Sequence, residues 1–147
     1  MIHVECAVPV RASRAVAWRL LREKVEAPQR FLPSVNACEV LDRRDDEVIR
    51  RVTFDDGIVV TERVVLTPEE ELAFHFVDHP KFEGEIRHVL FHSGDALWLA
   101  FSFRGEARPG VELGPNEFEQ LREGFARAVL SAAKQIEEAE RAALETT

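Results

Sequence analysis

The chain has 147 residues, 46% hydrophobic and 31% charged, and a formal net charge of -8. That length suits one domain, 1–147, with one sizeable core; the acidic balance repels a phosphate backbone and argues against nucleic acid as a partner. The opening MIHVECAVPV has a glutamate in its apolar run and no basic segment, unlike a signal peptide. No apolar stretch approaches a membrane span, and Cys6 and Cys38 form neither a disulfide framework nor a zinc pattern. The expectation is a reduced cytoplasmic protein with no metal and no cofactor.

In chain order, Met1 to Val10 alternates as a strand. Ser13 then caps a helix, SRAVAWRLLREKVEAP, which Pro28 ends or kinks. A short helical piece leads to Pro33, and a second strand begins near Asn36. From there the chain is a meander. NACEVLDR turns into EVIRRVTF, then IVVTERVVL, ELAFHFVD, FEGEIRHVLFH and ALWLAFSFRG. A loop rich in Gly and Pro, EARPGVELGP, closes the series. Asn116 caps a long helix over about 116–140, with Glu119 placed for a capping box. Phe118, Leu121, Phe125, Val129, Ala132 and Ile136 make one apolar stripe along it. An antiparallel meander must cover one apolar face, and one long helix is available to cover it. The fold class is therefore α+β, a curved seven-stranded antiparallel sheet gripping the C-terminal helix around an internal cavity.

Turn chemistry sets the register. In FDDGI, Gly57 suits a three-residue hairpin loop, which pairs Val52 with Val60, Arg50 with Glu62 and Val48 with Val64. Across TPEE, Leu66 faces Leu72, Val64 faces Phe74 and Glu62 faces Phe76. A three-residue SGD loop sets Phe91 against Leu97, Val89 against Leu99 and Arg87 against Phe101. One level of the inner wall then reads Arg50, Glu62, Phe76, Arg87, Phe101. Three charges in a solid core cost several kcal/mol each in desolvation, whereas a cavity can be lined with them. Small residues on the covering helix (Gly124, Ala126, Ala128, Ala132, Ala133) leave space opposite the sheet phenylalanines. The candidate ligand-binding residues are Arg50, Glu62, Arg87, Phe54, Phe74, Phe76, Phe101 and Phe125. Arg50 and Glu62 also fit a satisfied ion pair under the sheet edge that binds nothing.

The same register turns His75, His88 and His92 to the outer face, with Ile86, Leu90 and Trp98. Two imidazoles without a carboxylate or thiolate make a poor metal site. Ile49, Val59, Val65, Val77, Ile86, Leu90 and Trp98 make that face more apolar than a monomer needs, which points to a homodimer contact; sedimentation at high concentration checks it. FVDHPKFEG and EARPGVELGP are long enough to be lips over a cavity mouth, or plain connections.

The segments AWRLLREKVEAPQRFLPSVNACEVLDR, VIRRVTF, VTERVVL and LWLAFSFRG carry a resemblance. The chain resembles the START-like SRPBCC superfamily, with the helix-grip fold of the major birch pollen allergen, and within it the bacterial AtaL-like group. The resemblance covers nearly the whole chain. It implies a carrier of small hydrophobic molecules, a polyketide cyclase or aromatase, or a ring-hydroxylase subunit. The plant allergens carry a glycine-rich loop between the second and third strands; RRDDE stands here without glycine, so that loop's role does not transfer.

Three functions follow. The first is a binding module for an apolar molecule with a carboxylate, phenolate or enolate end. The second is an enzyme of the cyclase type, with Glu62 as base and Arg50 or Arg87 stabilising an enolate. The third is protein binding through the outer face. With no tyrosine in the chain and the histidines turned outward, no second acid/base stands near Glu62, which favours binding over catalysis.

Overall fold

A computed structural model describes residues 1–146. Strand β1 (Ile2–Val10) leads to helix α1 (Arg14–Glu26) and a 3-10 turn at Pro28–Arg30. The meander follows as β2 (Val35–Arg44), β3 (Glu47–Phe54), β4 (Val59–Thr67), β5 (Glu71–Asp78), β6 (Phe82–Ser93) and β7 (Ala96–Ala107), and helix α2 (Glu117–Glu145) closes the chain. The seven strands form one antiparallel sheet in the order β1-β7-β6-β5-β4-β3-β2. This is the helix-grip α+β fold expected from the element order.

Local chemistry accounts for α1. Ser13 has extended backbone, and its side chain accepts a hydrogen bond from the Val16 amide, an N-cap that satisfies one orphan donor. The buried face, Ala17, Trp18, Leu20, Leu21 and Val25, packs beneath the sheet. The start of α2 differs from expectation. Asn116 sits at φ -106°, ψ 4°, outside the extended region a side-chain cap needs, and makes no cap bond. Glu119 instead takes Arg122 at 2.8 Å, so the capping box does not form.

The core lies under the C-terminal half of α2. Val129, Ala132, Ala133 and Ile136 are buried there against Val10, Leu72, Leu90, Leu97 and Leu99. The stripe does not reach Phe118, which is 46% exposed. Between Leu121 and Ala128 the helix crosses open space rather than core.

The register holds through β3, β4 and β5. Arg50 pairs with Glu62, Val52 with Val60, Glu62 with Phe76 and Val64 with Phe74. It fails at β6. The β6–β7 hairpin closes with two residues, since Ser93 pairs with Ala96 and Gly94 takes φ +61°. A one-residue difference in loop length reverses every side chain of the strand. His88 pairs with Phe101 and Leu90 with Leu99, so Ile86, His88 and Leu90 face α2, while Arg87, Val89 and Phe91 face outward. Of the apolar outer set, Ile86 and Leu90 therefore belong to the inner wall, and Phe91 stacks on Trp98 outside at 6.4 Å. Further along the same pair of strands, Gly84 meets Gly105. A Cβ on either would stand 2.2 Å from a carbonyl oxygen of the opposite strand, so only glycine allows this approach.

Candidate functional site: a basic pocket in an apolar cavity

Between the sheet and the N-terminal half of α2 lies a cavity of about 390 Å³. Its walls are mostly apolar. Phe74, Ile86 and Phe101 come from the sheet, Leu21, Pro28 and Leu32 from the α1 region, and Leu121, Gly124, Phe125 and Ala128 from α2. The cavity exists because α2 presents small side chains opposite a concave sheet. A Cβ added at Gly124 would meet nothing within 4 Å.

Three basic groups enter this apolar space: Lys24, Arg50 and His88. Arg50 is fully engaged. Its Nε donates to one Glu62 oxygen at 3.0 Å, and Nη2 lies 2.9 Å from the same oxygen in the ion pair. Its Nη1 donates to the carbonyls of Lys24 and Val25 at 3.1 and 2.8 Å. Those carbonyls belong to the last turn of α1, where the helix dipole favours a cation. The guanidinium also lies 5.0 Å from the Phe74 ring centroid. One arginine thus ties β3, β4, β5 and the end of α1 together. The two charges set in a wall of valine are a buried ion pair, with both side chains only 9% exposed.

Lys24 has no such partner. Its ammonium lies 5.8 Å from the Phe31 ring centroid and makes no ion pair among the described residues. Burial lowers its pKa from 10.5 to about 8. His88 stacks on Phe101 at 3.6 Å between centroids and tilts against Phe74 at 4.8 Å. Burial, with the charges of Lys24 and Arg50 behind it, holds His88 well below the usual imidazole range. His88 is therefore neutral at pH 7. The sign of the resulting pH dependence is fixed. Below pH 6.5 the unfolded chain binds a proton at His88 that the folded chain refuses, so stability falls as pH falls. Against a His88→Leu variant, the wild type should lose up to about 1.4 kcal/mol more per pH unit below that point, measured by urea unfolding from pH 7 to 5.

Arg50, Phe74, Phe101 and Phe125 line this cavity. Glu62, Phe54 and Phe76 do not; they line a neighbouring recess of about 260 Å³, which Ile86 divides from the first. The Glu62 oxygen not taken by Arg50 makes no hydrogen bond to any described residue. Arg87 lies outside both. It is on the outer face, donating to Glu85 at 3.1 Å and Glu71 at 2.9 Å, because the β6 register differs by one. His75 does face outward as read, 3.3 Å from Glu85. Leu72 sits across from His88. His92, at the strand end, meets Arg14 at 2.9 Å.

The two long loops are pinned to each other and to α2. Arg108 donates to the His79 carbonyl at 2.7 Å, and Lys81 pairs with Glu117 at 3.0 Å. Glu117 in turn lines the cavity, which places these loops beside its rim. Among the described residues no group of three or more His, Cys, Asp or Glu could hold a metal ion, and no helix is long and apolar enough to cross a membrane.

Residues 7–145 match the AtaL family, described as acetylaranotin biosynthesis cluster protein L, and the chain belongs to that family. No curated protein matches it. Among solved structures it is similar to TTHA0849 from Thermus thermophilus, at 18% identity and a TM-score of 0.72, over 97% of this chain and 99% of that one. It is similar to the Zhui aromatase/cyclase from Streptomyces sp. R1128, at 22% identity and a TM-score of 0.70, over 95% and 94% of the two chains. A START superfamily protein from Mycobacterium smegmatis aligns at 19% identity and a TM-score of 0.69, over 95% and 97%. These likenesses show the START-like fold.

Proposed function

We propose that this AtaL-family chain binds a small hydrophobic molecule with an acidic oxygen at one end, a carboxylate, phenolate or enolate. The observation that carries the proposal is Lys24, a cation without a counter-ion in ion-pair reach, lining a mostly apolar cavity. An anionic oxygen would supply the missing partner, and the aromatic walls would take the apolar body. A volume of about 390 Å³ lies within the usual range of ligand pockets. Arg50 contributes less to recognition, since its donors are already engaged by Glu62 and by two carbonyls.

Filling the cavity tests the site. Gly124→Leu puts a side chain into open space, so it should weaken binding of 2-naphthoic acid more than ten-fold by titration calorimetry. Replacing a helical glycine should leave stability unchanged or raise it by up to about 1 kcal/mol. Unchanged affinity in a folded Gly124→Leu protein would place binding elsewhere.

A second reading, cyclase-type catalysis, gains from His88. A neutral imidazole in the cavity beside two cations can take a proton from carbon while a cation steadies the enolate. Outward-facing histidines would weigh against catalysis, but His88 faces in. His88 also serves this role better than Glu62, whose carboxylate is held by Arg50 and lines the smaller recess. The similarity to an aromatase/cyclase structure fits this reading without carrying it. Mass spectrometry after incubation with a poly-β-carbonyl thioester separates the two: cyclised product lost in His88→Gln supports catalysis, and no product above a protein-free control leaves binding alone.

A further inference from the structure

The chain has three lysines, and two are ordinary surface groups. Lys81 is paired with Glu117 at 3.0 Å, and Lys134 is exposed on α2. Lys24 alone is held in the cavity, with an aromatic ring near it and no carboxylate in ion-pair reach. An amine kept without a counter-ion inside an apolar pocket has a second use besides attracting anions. It can give up its proton and attack carbon.

We propose that Lys24 is an imine-forming amine, and that the cavity captures apolar aldehydes or ketones as covalent Lys24 Schiff bases. The proposal rests on the cavity being the ligand site and names a further ligand class for it. The chemistry balances with the groups present. The lone pair of Nζ forms the C–N bond to the carbonyl carbon, and the carbonyl oxygen becomes the hydroxyl of a carbinolamine. That hydroxyl then leaves as water, carrying off the second of the two amine hydrogens, and a C=N bond remains. No oxidant, reductant or co-reactant is consumed. The placement favours each stage. Burial leaves a sizeable neutral fraction of Lys24 at pH 7.5, with its pKa about 8. His88, within electrostatic reach of Lys24 in the same pocket, can shuttle the proton between nitrogen and the departing oxygen. The apolar walls would hold the apolar body of the carbonyl compound beside Nζ.

Reductive trapping tests this on the intact protein. Wild type is incubated with 2-naphthaldehyde and cyanoborohydride at pH 7.5, then digested and mapped by mass spectrometry. Lys24 should carry the naphthylmethyl adduct at least ten-fold faster than Lys81 or Lys134. Saturating 2-naphthoic acid should suppress that adduct and leave the other two unchanged. Lys24→Arg keeps the cation but cannot form an imine, so it should bind the acid and give no cavity adduct. Equal labelling of all three lysines, with the acid still bound in the cavity, would overturn the imine and leave the binding reading standing. Failure of both the acid and the aldehyde to enter the cavity would overturn both.

Discussion

Replacing Arg50 with methionine is expected to cost about 3–5 kcal/mol of folding stability. The change removes a cation that is itself almost fully buried and leaves the Glu62 carboxylate buried without its counter-charge. It also uncaps the carbonyls of Lys24 and Val25 at the end of α1. Those two losses act on different elements, so α1 and the β3–β4 hairpin should both loosen. A double change separates the causes. Arg50→Met with Glu62→Leu removes both charges, and such apolar replacement of a buried pair is often neutral or stabilising. Urea unfolding at pH 7 should therefore show the double variant recovering most of the loss, short of the part due to the uncapped helix. A single-variant cost under about 1 kcal/mol would mean the ion pair holds nothing together.

Lys24→Met should act in the opposite direction, stabilising the fold by on the order of 1–3 kcal/mol at pH 7. Well below pH 8 both folded and unfolded chains keep the Lys24 proton, and the folded chain bears the full cost of a desolvated charge. Between about 8 and 10.5 the unfolded chain still holds the proton and the folded chain has released it, so wild-type stability rises with pH across that window. Methionine removes both the cost and the rise. The absence of tyrosine leaves few other groups titrating there. Cys38 is the main competitor and works with opposite sign, because burial raises its thiol in the fold. Subtracting the variant's curve from the wild type's cancels Cys38 and isolates Lys24. A residue whose removal stabilises the protein has a reason to be there other than folding. Reduced stability in Lys24→Met, with no change in alkaline slope, would show the amine to be solvated.

Most of the fold was legible because its signals were redundant. Val48 and Val52 of β3 share one face with Val60 and Val64 of β4, Gly57 marks the turn between them, and Arg50 meets Glu62 in the register that forms. The β6 strand offered no such redundancy. Its two faces, Ile86, His88, Leu90 against Arg87, Val89, Phe91, are equally apolar. The sequence SGD closes a hairpin of either two or three residues, and nothing local chooses between them. That single ambiguity moved Arg87 into the site and His88 out of it. Lys24 was visible in principle. It falls on the stripe Ala17, Leu20, Leu21, Val25, Pro28 at helical spacing, where a surface lysine does not belong. The aromatic lining divided between two cavities for a reason pattern alone does not carry: Ile86, inward only in the true register, stands between them.

One titration bears most directly on ligand recognition in the cavity: 2-naphthoic acid and 2-naphthalenemethanol, matched in shape and differing in charge, each measured against wild type and Lys24→Met at pH 7. Wild type should prefer the acid by about ten-fold, equivalent to about 1.4 kcal/mol. Lys24→Met should bind the alcohol as well as wild type does and lose the preference for the acid. Equal affinity for the two probes in wild type, or a preference for the acid that survives in Lys24→Met, would contradict recognition of an anionic oxygen by Lys24.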